Sequence, residues 1–177
     1  NGVASNVLDD SNDTVFYAAR LDFKPLAGLM VGASGGTSGG EGPFHLGRDR
    51  YGVHVKYDGP AELPIAFRAE YLEAKDESRN ATSGAITALK RNGFYVTGMY
   101  TIAGVYRLAA RYDQIDNNKD ASNAKTKTFT GGFHYMIKGK NINLKADYYS
   151  IKQDGRAVNG ALDESYSQFA LAAQVAF

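Results

Sequence analysis

The stretch from Ser165 to Phe177 reads S-Y-S-Q-F-A-L-A-A-Q-V-A-F, and after Ser167 its odd positions, Phe169, Leu171, Ala173, Val175 and Phe177, are all apolar. Gln168 and Gln174 sit among the even ones. A period of two is the pattern of a β-strand with one apolar face. That face is as long as a hydrocarbon layer is thick, because a tilted strand crosses one in ~9–11 residues. In such a setting every other strand of the chain must alternate in the same way.

Composition narrows the alternatives. No apolar run approaches the ~18–20 residues of a helical span, so a membrane protein of this sequence crosses with strands. The formal net charge of +1 gives no reason to expect a nucleic-acid partner. Cysteine is absent, which removes disulfides and thiolate metal sites. The chain begins at Asn1 with neither Met nor an apolar leader, as expected of a processed product or a fragment.

Asn1 to Asp13 is polar and turn-rich, and reads as an extracellular loop or, through Gly2 to Leu8, an irregular strand. Alternation predicts strands over Thr14–Phe23, Leu26–Ala33, Asp49–Asp58, Pro64–Glu73, Gly93–Thr101, Val105–Asp113, Thr126–Ile137, Ile142–Ile151 and Ser165–Phe177. Lys24-Pro25, Gly59–Leu63, Ile102–Gly104 and Lys138–Asn141 read as tight turns. Gly32–Arg48, Ala74–Asn92, Gln114–Lys125 and Lys152–Glu164 read as long polar loops. Short and long connections therefore alternate around about nine strands. An antiparallel transmembrane β-barrel has this asymmetry, with apolar residues facing lipid and polar ones facing the lumen. Pairs such as Tyr51 with Tyr57 and Tyr106 with Tyr112 stand at strand ends, as girdle aromatics do. A soluble barrel or sandwich also alternates, but these strands exceed its usual ~5–6 residues and carry charge at mid-strand. The whole chain, 1–177, reads as one all-β barrel domain or the C-terminal part of one.

The final Phe177 looks like the terminal aromatic by which bacterial outer-membrane barrels are marked for the barrel-assembly machinery. G-F-Y-V-T-G-M-Y at Gly93–Tyr100 and Y-R-L-A-A-R-Y-D at Tyr106–Asp113 resemble the phosphate-selective porin O/P family. Ala66–Leu72 and Tyr17–Phe23 are similar to preceding strands of that family. The resemblance implies a homotrimer of about sixteen-stranded channels in the lipid and lipopolysaccharide of the bacterial outer membrane. It also implies that the constriction loop lies upstream of Asn1, so that only Arg20, Arg68, Arg107 and Arg111 carry over as lumenal arginines.

Other motifs point nowhere further. Gly32–Gly40 resembles a phosphate-cradling loop, but no Gly-Lys-Ser/Thr follows it. Asp116, Asn118 and Asp120 have the spacing that opens a calcium loop, yet Ala121 and Lys127 replace its Gly and Glu. His45, His54 and His134 have no ligand spacing, and Ser150 and His134 point to opposite faces. Neither a metal, a cofactor nor catalysis is expected.

Function then rests on the polar face. Alternation puts Arg20, Arg50, His54, Lys56, Arg68, Arg107, Arg111 and Lys145 there, against Asp22, Asp58, Glu70, Asp113 and Asp147. Asp22, Asp58 and Asp113 fall toward strand ends, whereas Arg68, Arg107 and Lys145 lie nearer the middle. Rings of Arg or Lys favour anions in confined water. Passive diffusion of small hydrophilic solutes with a preference for anions such as phosphate is the expectation. The alternative is a non-conducting barrel that anchors or sheathes a partner such as an electron-transfer cytochrome. Arg68 with Glu70 is a candidate pair that merely holds the wall.

Overall fold

The computed structural model describes residues 16–38, 47–60, 62–79, 84–121, 124–137, 142–158 and 161–175. Expectations placed on Asn1–Asp13, His45, Lys138–Asn141 and Phe177 lie outside these residues. Among the described residues nine strands form one sheet: β1 (Phe16–Leu26), β2 (Leu29–Ser38), β3 (Arg48–Asp58), β4 (Ile65–Arg79), β5 (Ile86–Ile102), β6 (Tyr106–Asp116), β7 (Lys125–Met136), β8 (Ile142–Val158) and β9 (Ala161–Val175). Each pairs antiparallel with its neighbour in sequence, in the order β1 to β9. In this open sheet β1 and β9 are the edges.

The sheet is a single layer. Among the described residues Met136 is the one buried apolar side chain, while Leu21 and Leu171 are 75% and 74% exposed. A soluble domain would bury one face of such a sheet against a second layer. Here no described residue outside the sheet covers the apolar face, and hydrocarbon is the solvent that suits it.

Register makes the two faces coherent, because directly opposed residues share a face. Val31 faces Val55, Val55 faces Ala69, Ala69 faces Val96 and Val96 faces Tyr112. Farther along, Leu108 faces Phe133, Phe133 faces Ala146 and Ala146 faces Leu171. Aromatic pairs knit this surface, with the Tyr106 ring 5.8 Å from Phe133 and 5.2 Å from Tyr135.

One aromatic line crosses the sheet obliquely. Tyr17, Tyr51, Tyr71, Phe94, Tyr112, Phe129, Tyr148 and Phe169 mark it. Tyr71 with Phe94, Tyr112 with Phe129 and Tyr148 with Phe169 are directly opposed. The line steps by two residues at β1 to β3, β3 to β4, β5 to β6 and β7 to β8. That is one residue per strand; at ~3.4 Å per residue and ~4.8 Å between strands it corresponds to a tilt of roughly 35°. Membrane barrels tilt their strands by about this much, which levels the aromatic line with one interface of the bilayer.

The connections differ from the sequence reading. β1 runs through Lys24-Pro25 with a register shift after Phe23, and the turn falls at Ala27-Gly28. An edge strand accepts a proline because one side of its backbone needs no partner. Gly28 adopts φ +80°, and a Cβ there would collide with the Asp58 carbonyl. Much of three predicted loops is strand: β2 extends to Ser38, β4 to Arg79 with β5 starting at Ile86, and β8 and β9 close to within residues 159–160. Long and short connections do not strictly alternate, since strand extension absorbs the length. The Asp116 loop is built of side-chain turns, with the Asn118 amide donating to Asp116 and the Asp120 amide to Asn118, both at 3.1 Å.

Candidate pore-lining face

All eight basic or histidine side chains singled out from the sequence lie on the face opposite the apolar one, in cross-strand ranks. Lys56 faces Arg68, Arg68 faces Thr97, and Thr97 faces Arg111. Four residues along β6, Arg107 faces His134, which faces Lys145. Relative to the aromatic line, Arg20, His54, Arg68 and Lys145 stand three residues toward the tight turns, and Arg107 and His134 five. Arg107 is therefore close to the turn end of β6, not nearer mid-strand as expected from the sequence.

Most of these cations are neutralised by their own wall. Three pairs run along a strand, where residues two apart share a face: Arg20 with Asp22 at 3.0 Å, Lys56 with Asp58 at 2.8 Å, and Arg111 with Asp113. Arg50 bonds Asp76 and also donates to the Asp49 and Lys75 carbonyls at 2.9 and 3.1 Å. Arg68 meets Asp58 at 3.6 Å rather than Glu70, which faces Tyr95. Arg111 lies 4.1 Å over the Tyr95 ring. Half-exposed pairs of this kind contribute ~0–1 kcal/mol to stability, so their main consequence is to cancel charge.

Lys145 breaks the pattern. Asp147 has the spacing of a partner, but His134 on the neighbouring strand holds it at 3.1 Å. Lys145 donates instead to Gln174 at 2.9 Å, and Arg107 reaches the Thr101 hydroxyl at 3.4 Å. Among the described residues no carboxylate comes within ion-pair distance of either. Toward the middle of the sheet Arg20, His54, Lys56, Arg68, Glu70 and Tyr95 converge on a cleft of about 220 Å³. His54 bridges its members, with Nε2 2.9 Å from Asp22 Oδ1 and 3.1 Å from Arg20 Nη2.

Sequence reading missed Arg48, Arg91, Asp76 and Glu164, which the ladders put on this same face. With them, nine Lys and Arg (Arg20, Arg48, Arg50, Lys56, Arg68, Arg91, Arg107, Arg111, Lys145) stand in register against seven carboxylates (Asp22, Asp58, Glu70, Asp76, Asp113, Asp147, Glu164), a surplus of two. Among the described residues no group of three or more His, Asp or Glu could hold a metal ion.

A tilted sheet, apolar on one face and charged on the other, is the wall of an outer-membrane channel. No curated protein matches the sequence. The model of the Gram-negative porin family matches residues 1–156, most of the chain. The barrel wall and this match agree in fold and setting, the bacterial outer membrane, and the chain belongs to the Gram-negative porin family.

Proposed function

We propose that this porin passes small hydrophilic solutes by passive diffusion and favours anions, inorganic phosphate among them. The observation that carries the reading is that, among the described residues, no carboxylate lies within ion-pair distance of Arg107 or Lys145. Both project from the charged face, where Arg107 donates to the Thr101 hydroxyl and Lys145 to Gln174. Fixed positive charge beside confined water raises the local anion concentration. The likeness of Gly93–Tyr100 and Tyr106–Asp113 to the phosphate-selective porins O/P supports phosphate as one solute. It also supports closure as a homotrimer of about sixteen-stranded barrels, wide enough for an aqueous channel. Lipopolysaccharide then surrounds the apolar face, and the barrel-assembly machinery inserts it.

The test is the reversal potential of the intact protein in a planar bilayer under a potassium chloride gradient. Anion preference is expected, stronger in dilute salt, because the Debye length is ~10 Å at 0.1 M and shortens as salt rises. Cation preference would overturn the reading. A folded protein that opens no channels would favour the barrel as a sheath for a partner.

A further inference from the structure

The charged face carries an apolar groove that ion conduction does not call for. It has a volume of about 580 Å³ and runs from Ala18, Arg20 and Ser34, on the tight-turn side of the aromatic line, across β3 to β6 to Ile115 on the side away from the turns. Its floor is a rank in which glycines alternate with hydrocarbon: Gly52 faces Leu72, Leu72 faces Gly93, and Gly93 faces Ile115. The missing side chains let their neighbours lie against the wall. A Cβ on Gly52 would come within 2.7 Å of Leu72 Cδ2, and one on Gly36 would meet the ring of Phe16. Phe16, Leu72 and Ile115 thus line a hydrocarbon surface where water is the expected neighbour.

Its rim is cationic. Arg20, Arg50 and Arg91 line it; Arg50 and Arg91 pair with Asp76, which Arg48 opposes in the ladder, and the one lining carboxylate, Glu73, is held by the Tyr71 hydroxyl and Lys119. Arg50 is held to the wall by its bonds to Asp76 and two carbonyls. Arg91 is looser: its Nη1 lies 3.6 Å from Asp76, its side chain is 47% exposed, and it lines the groove.

We propose that this groove is a subsite at the channel mouth for amphipathic organic anions, namely carboxylates bearing an aryl group. The carboxylate pairs with Arg91 and the hydrocarbon lies on Phe16, Leu72 and Ile115. Chloride or phosphate gains nothing from that floor, whereas a phenyl ring leaves water on it. The inference extends the reading of the protein as an anion-favouring channel and rests on it for access to the groove.

Calorimetric titration of the intact protein in nonionic detergent, with 3-phenylpropionate against propionate and protein-free micelles as the blank, tests it. The aryl acid is expected to bind at least about tenfold more tightly, the discrimination typical of an apolar subsite. Leu72→Asn, Ile115→Asn and Arg91→Gln should each weaken it about five- to tenfold. Equal affinity for the two acids, or an unchanged Kd in correctly folded Leu72→Asn and Ile115→Asn, overturns the proposal. Chloride current through the wild-type protein separates the two readings. Current without discrimination removes this subsite alone, while discrimination without current upholds the subsite and removes the channel.

Discussion

Asp22 and His54 stand on strands that do not pair with each other, yet Asp22 Oδ1 lies 2.9 Å from His54 Nε2. Gly32, on the strand between, is directly opposite both residues, and a Cβ there would collide with both side chains. Gly132 repeats the device beside Asp147 and His134. Glycine is needed here for close approach rather than for its backbone freedom. Gly32→Val is expected to destabilise the folded wall by about 1–3 kcal/mol. Gly98→Val, whose new Cβ has nothing within 4 Å, should be neutral or slightly stabilising. Urea midpoints read from heat-modifiable gel mobility compare the two, and equal shifts would show that Gly32 does not keep the passage open.

Leu108 and Ala109 are adjacent in sequence and face opposite sides of the sheet. Leu108→Arg puts a charge into the lipid and should cost about 2–4 kcal/mol if it lies near the bilayer midplane. Ala109→Asp puts one between Arg107 and Arg111 on the polar face and should be tolerated. Equal loss of heat-modifiable mobility in both would mean that the faces are inverted.

The turn joining β5 to β6 has positive φ at both central residues, 51° at Ala103 and 70° at Gly104, and the Val105 amide closes it on Ile102 at 3.1 Å. That is the hairpin geometry for which Asn-Gly is the favoured pair. Alanine pays a steric cost in the left-handed region that asparagine offsets by local hydrogen bonding. Ala103→Asn should raise stability by about 0.5–1 kcal/mol. A lower urea midpoint would argue against the turn.

Strand number and facing were legible because alternation is strict wherever one face touches hydrocarbon. Tyr51, Val53, Val55 and Tyr57, alternating with Arg50, His54, Lys56 and Asp58, mark a strand with one apolar and one polar face. Above the aromatic line the ladder continues but both faces are wet, so Lys75, Asp76 and Glu77, or Lys90, Arg91 and Asn92, show no alternation and read as loop. Arg91 and Asp76 were lost for that reason. Pairing within the polar face was half legible. Arg-Leu-Asp, Lys-Tyr-Asp and Arg-Tyr-Asp announce their own ion pairs by a spacing of two, but Lys145-Ala146-Asp147 has the same spacing and does not pair. Only the cross-strand register with His134 reveals why.

Glu77 lies beyond the apolar band on β4 and ties that strand to Gly47, just before β3. Its carboxylate accepts from Lys75 at 2.9 Å and from the Gly47 amide at 3.1 Å. The Lys75 ammonium, and then the Gly47 N–H, hold the Glu77 carboxyl below the ordinary glutamate range. A depressed folded pKa gives stabilisation that is present above the unfolded value and is lost as pH falls through the folded one. The Gly47 amide resonance should therefore titrate with a midpoint below that of an ordinary glutamate and lose this titration in Glu77→Gln. A midpoint at or above the ordinary value would show that the tie does not form.

Paired and unpaired cations should differ in their effect on ion flow. Arg111→Gln with Asp113→Asn removes an ion pair from the wall and leaves its net charge unchanged. Arg107→Gln with Lys145→Gln removes two cations that pair with no described carboxylate, and so lowers the charge of this face by two. The first double variant should leave the reversal potential under a salt gradient where it was. The second should move it toward cation preference, more at low salt than at high, because salt screens the field of the fixed charges. Single-channel conductance should change less than selectivity in both, since strand number sets the width of the pore. Equal shifts in the two would mean that the i to i+2 carboxylates do not shield their arginines from the permeating ion. No shift in the second would assign Arg107 and Lys145 to the structure of the wall, with selectivity set elsewhere in the barrel.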